Sequence, residues 1–140
     1  MPVELIPLCT LTAVVRPPVM VGEGPAGTRM IIEVERVRIE GERLAGEGEG
    51  GPAGDWVVIG PGGVATLDVR FTFTTGDGAV IFVQYGGRMD TTPPREERII
   101  HVAPRFETSD PRYAWLNRVQ AVGRGGFTPE GVVYEWYEVA

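Results

Sequence analysis

The chain has 140 residues, 43% hydrophobic and 23% charged, with 13 basic and 19 acidic residues giving a net charge of −6. That length fits one globular domain, residues 1–140, able to bury a core without staples, and an acidic chain with no basic stripe excludes nucleic acid as a partner. One cysteine, Cys9, and one histidine, His101, rule out an internal disulfide framework and a thiolate or multi-histidine zinc site, and no metal site is expected.

In chain order, the opening "MPVELIPLCTLTAVV" lacks a basic region and contains Glu4 and Pro7, so it does not read as a signal peptide. No run approaches the apolar length of a membrane span. No membrane partner is expected, and the default location is cytoplasmic. Helical periodicity is almost absent. Short β-branched and aromatic runs, closed off by Gly, Pro or Asp, predict strands over 9–15, 29–41, 55–59, 64–75, 79–87, 98–106, 117–125 and 132–139. The 20 glycines and 12 prolines are spread between them as turn punctuation. This pattern predicts an all-β, antiparallel barrel, because closure removes exposed edges from a chain with no helices to cover them.

The clearest hairpin is "LDVRFTFTTGDGAVIFVQY", 67–85, with Asp77-Gly78 as its turn signal. Alternation puts Leu67, Val69, Phe71 and Phe73 on one face and Asp68, Arg70, Thr72 and Thr74 on the other. A two-residue turn would set Arg70 opposite Tyr85, so that Asp68, Arg70 and Tyr85 share a face. That polar face is either the wet outside or the lining of an internal cavity. "GEGEGGPAG" (46–54) reads as a loop that cannot pack, and "TTPPREER" (91–98) as a second polar loop.

"RFETSDPRYAWLNR" (105–118) concentrates arginines, acids and aromatics. Asp110 or Ser109 can cap, and Pro111 suits the first position of a short helical turn near 110–114. Two readings stay open. In one, Arg105 or Arg112 pairs with Glu107 or Asp110 and Trp115 plugs a barrel end. In the other, Tyr113, Trp115 and Asn117 turn towards a ligand as the aromatic floor of a pocket.

This stretch, together with "GDWVVIGPGGVATLDVRFTFTTGDGAVIFV", "VGEGPAGTRMIIEV" and "GVVYEWYEV", resembles the domain of unknown function 3237 family, the UPF0311 proteins. The resemblance covers nearly the whole chain. It implies a lipocalin-like β-barrel and, from some relatives, cofactor-free cyclases that close oxygen heterocycles by adding a hydroxyl across an alkene or enone. Such chemistry needs a positioned acid and base in a dry pocket, with neither metal nor nucleotide.

The candidate machinery follows. Asp68 is the expected general acid–base, with Arg70 and Tyr85 holding a substrate oxygen and Glu107 as the spare carboxylate. Arg112, Tyr113, Trp115 and Asn117 shape the pocket, and Asp55 and Trp56 are wall residues. The expected activity is that of an isomerase or lyase on a small apolar phenolic or unsaturated molecule. A barrel that binds such a molecule without chemistry uses the same cavity. Asp68 fully engaged by Arg70, with Glu107 facing solvent, would favour binding alone, and a barrel filled by side chains would exclude both. A homodimer is compatible with a barrel of this size, although the sequence carries no dimer signature.

Overall fold

The computed structural model describes all 140 residues. Eleven strands form one antiparallel sheet: β1 (Leu5–Val15), β2 (Val19–Gly24), β3 (Gly27–Glu40), β4 (Gly46–Glu49), β5 (Gly54–Ile59), β6 (Val64–Thr75), β7 (Val80–Asp90), β8 (Ile100–Val102), β9 (Arg105–Glu107), β10 (Ala121–Phe127) and β11 (Gly131–Val139). The pairings β6–β5–β3–β1–β11–β10–β8–β7 return to β6 and close a barrel. The ring is uneven. β4 bridges β3 and β6 at one end, β9 extends β7 beyond β8, and β2 pairs only with β3.

Several boundaries differ from those read in the sequence. The glycine-rich stretch expected to be a loop supplies β4, because Gly46 and Gly48 let its backbone lie against β6; a Cβ at either would stand 2.4 Å from a carbonyl oxygen, of Thr74 or Thr72. Pro104 and its neighbour break the expected 98–106 strand into β8 and β9. Residues 117–118 belong to a 3-10 helix, Pro111–Arg118, rather than to β10.

The β6–β7 turn carries the correction with the largest consequence. Thr74 pairs with Val80 and Thr75 N–H donates to the Ala79 carbonyl (2.9 Å), so the turn centres on Asp77 rather than between Asp77 and Gly78. It is held by the Thr75 hydroxyl, which accepts from Ala79 N–H (2.9 Å) and donates to Asp77 (2.6 Å). Arg70 therefore stands opposite Gln84, and Tyr85 opposite Val69. A one-residue slip moves a whole strand to the other face. Tyr85 thus joins Leu67, Val69 and Phe71 inside the barrel, while Asp68 and Arg70 point out.

The interior is filled at one end and hollow at the other. Leu11, Ile39, Phe71, Phe73, Ile81, Leu116 and Trp136 close one end, all at most 2% exposed. A bulge at Glu35, where pairing passes from Val14–Arg36 to Val15–Val34, changes the phase of β3 between the halves. Val37 and Ile39 face the packed half, Ile32 and Val34 the hollow one. Cys9 lies in the packed half, where burial pushes its thiol up to about 12. Because the thiolate is the reactive form, Cys9 is expected to ignore an aromatic disulfide reagent at neutral pH until the protein unfolds. Prompt labelling of the native protein, read from the released chromophore, would contradict that burial.

Candidate functional site

The hollow half is a cavity of about 410 Å³, within the range of small-molecule sites. Its walls are mostly aliphatic, from β1, β3, β5 and β6: Ala13, Val15, Met30, Ile32, Val57, Ile59, Leu67 and Val69. Its base is aromatic. Tyr85 meets Tyr134 edge-on at 5.9 Å between ring centroids and Trp136 at 5.6 Å, so the cavity rests directly on the packed end. Arg16, Pro18, Thr91, Arg95, Arg98 and Phe127 line its outer part.

One carboxylate enters this apolar space, that of Asp55. On β5, Asp55 is in phase with Val57 and Ile59 and pairs with Val69, whose other neighbour is Tyr85; Asp55, Val69 and Tyr85 therefore share one level of the interior. The β5–β6 ladder passes from Asp55–Val69 to Val58–Thr66 without pairing Trp56 or Val57. In the gap, Asp55 Oδ1 accepts the Asp68 N–H at 3.0 Å, and Arg29 donates to the Trp56 carbonyl at 2.7 Å. No basic side chain lies within ion-pairing distance of Asp55. Burial raises its carboxyl to about 6, opposed by the Asp68 N–H and reinforced by the Asp68 charge. A carboxyl poised there exists in both protonation states near neutrality, as a group that takes a proton and returns it must.

Tyr85 and Tyr134 complete the polar part of the cavity. Burial, the Tyr134 phenol and the Asp55 charge together hold Tyr85 well above the usual phenol range. Tyr134 is raised chiefly by burial, an effect the neighbouring Tyr85 phenol partly offsets and the Asp55 charge reinforces. Both phenols are therefore neutral donors at physiological pH, suited to a carbonyl or developing oxyanion.

The other residues singled out in the sequence lie elsewhere. Asp68 and Arg70 form an exposed pair at 3.6 Å on the outer face of β6. Glu107 is exposed on β9, Trp56 is 38% exposed on the outside of β5, and His101 is exposed on β8. Of the candidate machinery, only Tyr85 and the expected wall residue Asp55 reach the cavity. Asp68 and Glu107 both face outward, away from the cavity, and Asp55 is the carboxylate that lines it.

Residues 105–118 form a knot on the closed end. Asp110 caps the 3-10 helix by accepting from Arg112 N–H (2.9 Å), and its carboxylate also takes two guanidinium bonds from Arg112 (3.0 and 2.7 Å). Arg112 and the Tyr113 hydroxyl both reach Asp77 in the β6–β7 turn, at 3.3 and 3.0 Å. Asn117 spans Thr108, accepting from its N–H and donating to its carbonyl, each at 2.9 Å. Trp115 packs on the core under the Arg43 guanidinium, 4.8 Å from its ring centroid. The polar groups of Asp110, Arg112, Tyr113 and Asn117 are thus engaged within the knot.

Strand phase held a signal for two site residues that the sequence reading did not use. Asp55 alternates with Val57 and Ile59, and Tyr134 with Val132 and Trp136. A charged residue in step with the apolar face of a strand is a buried acid by pattern alone.

These features define a class: an antiparallel β-barrel plugged at one end and hollow at the other, with a single acid on the cavity wall. The chain belongs to the DUF3237 family of proteins of unknown function, whose model matches residues 3–139. It is 29% identical to a UPF0311 protein of Rhodopseudomonas palustris over 93% of this chain and 92% of that one. Its fold is similar to a β-barrel-like protein from Acinetobacter baumannii (TM-score 0.88, 28% identity, 100% and 98% of the two chains). It also resembles an enzyme from Penicillium herquei (TM-score 0.81, 23% identity, 100% and 96%). No helix is long and apolar enough to cross a membrane.

Proposed function

We propose that the barrel binds a small, mostly apolar, phenolic or unsaturated molecule and isomerises it by proton transfer through Asp55. In the cyclising form of this reaction, Asp55 carboxylate removes the proton of a substrate hydroxyl as its oxygen attacks one end of an alkene or enone. The O–H and π bonds break, a C–O bond forms, and the proton returns from Asp55 to the carbon left electron-rich. Nothing is oxidised or reduced, so the reaction asks for an acid–base group, a donor to the carbonyl and a pocket that excludes water. Tyr85 and Tyr134 are the donors. The observation carrying this reading is the carboxyl at about 6 on the wall of an apolar cavity beside two neutral phenols. The fold neighbour from Penicillium herquei is described as an enzyme, which is compatible with it.

A carrier without chemistry is the second reading, favoured by the hydrogen bond that ties Asp55 to β6. The two separate in a pH–rate profile over hydroxy-enones and phenolic alkenes. A base with its pKa at about 6 predicts kcat/KM rising through that pH to a plateau above it. Tight binding with no turnover across the panel would support the carrier instead.

A further inference from the structure

At the mouth of the cavity stand three arginines in a chain whose net charge is −6. Arg16 is neutralised by Glu33 and by Glu35 at 3.5 Å. Arg95 and Arg98 are not: neither has a carboxylate within 4.0 Å. Asp90 is near enough to feel the charge of Arg98, but its oxygen is taken by the Thr92 N–H and hydroxyl. Glu96 and Glu97 lie exposed on the same 3-10 turn and do not pair with either arginine.

Both guanidinium groups are nevertheless held in place. Half-buried Arg98 donates to the carbonyls of Pro93 (3.0 Å) and Thr91 (2.8 Å), which leaves three of the five guanidinium N–H groups free of protein acceptors. Arg95 stacks on Phe127 at 4.3 Å and donates to the Thr128 carbonyl at 3.3 Å. A fixed cation with no carboxylate in ion-pairing distance, lining a cavity, is a ready partner for a planar anion.

We propose that Arg95 and Arg98 receive a carboxylate carried by the far end of the substrate, and so set specificity for elongated apolar acids. The inference rests on the reading of this cavity as the substrate site. From the level of Tyr85 and Asp55 to Thr91 the chain advances six residues, about 20 Å along the strand and about 15 Å along the axis of a barrel with tilted strands. A carboxylate at the mouth thus lies well away from Asp55, and the body between them touches only apolar walls.

The test uses the full chain loaded with the neutral fluorophore N-phenylnaphthylamine, displaced by naphthaleneacetate or by naphthaleneacetamide at neutral pH. The acid is expected to bind about tenfold more tightly than the amide, the scale of a charge-assisted contact. That preference shrinks as salt rises from about 0.01 M to about 1 M and the screening length falls from about 30 to about 3 Å. It is lost in the Arg95→Gln/Arg98→Gln double variant, while the neutral amide keeps its affinity. Equal affinities in the wild type, or a preference that survives the double substitution, would overturn the assignment and leave the cavity reading intact. Failure of the neutral fluorophore to bind at all would overturn the cavity reading itself. Should the double variant not fold, the wild-type preference and its salt dependence decide the question.

Discussion

Asp55→Asn is expected to lower turnover by about 10²- to 10⁴-fold, the usual contribution of a positioned acid–base group, and to make the protein more stable at the same time. The two effects share one cause. The carboxyl titrates at 3.8 when free and at about 6 in the fold, so the folded protein holds this proton more tightly than the unfolded chain does. Stability from this group is complete below the unfolded value and is lost as pH rises through the folded one. Above that window, holding the ionised carboxylate in the cavity costs about 3 kcal/mol at most. Asparagine keeps an oxygen for the Asp68 N–H and carries no charge, so a gain of about 1–3 kcal/mol is expected near neutral pH and none at about pH 3. Asp68→Asn is the contrast. Its exposed pair with Arg70 is worth about 1 kcal/mol or less, and its loss should leave turnover within a few-fold. Steady-state rates and thermal denaturation of both variants across pH measure the opposed signs directly.

Gly125→Ala is expected to cost about 2–3 kcal/mol, the range of overpacked cores, and to deform the cavity as well. On β10, Gly125 faces Tyr134, and a Cβ there would stand 2.1 Å from the Val133 carbonyl oxygen and 2.6 Å from Tyr134 Cδ1. The carbonyl is backbone and cannot swing away, so the strand or the phenol must move, and Tyr134 lines the site. Gly76→Ala in the β6–β7 turn meets nothing within 4 Å and is expected to be neutral or slightly stabilising. Denaturant unfolding of the two variants, with binding of N-phenylnaphthylamine to each, separates the stability effect from the effect on the cavity.

How much of this was legible in the sequence depended on the scale of the feature. The barrel was legible, because alternation such as Leu67, Val69, Phe71, Phe73 against Asp68, Arg70, Thr72, Thr74 belongs to each strand by itself. The site was not, because it depends on register between strands. Taking Asp77-Gly78 as a two-residue turn placed Tyr85 beside Arg70, whereas the turn, braced by the Thr75 hydroxyl, centres on Asp77 and so turns Tyr85 inward. The polar stretch at 105–118 drew attention by its density of charges and aromatics, yet Asp110, Arg112, Tyr113 and Asn117 are engaged with one another and with Thr108 and Asp77 at the closed end. Asp55 drew less attention because it stands alone, and its isolation among Val57, Ile59 and Val69 is what raises its pKa. Gly123 and Gly125 fell inside the expected strand 117–125 with no role of their own; their part in seating the rings of Trp136 and Tyr134 is a tertiary fact.

The central claim is that the cavity wall holds a carboxyl poised near neutrality, and the most direct measurement is the titration of the Asp55 side-chain carbon by nuclear magnetic resonance in the ligand-free protein. A midpoint at about 6, shifting further when a neutral aromatic ligand displaces water from the cavity, is the predicted result. A midpoint at the ordinary carboxylate value of 3.8, unmoved by ligand, would contradict it and leave the barrel a binding protein without an acid–base group.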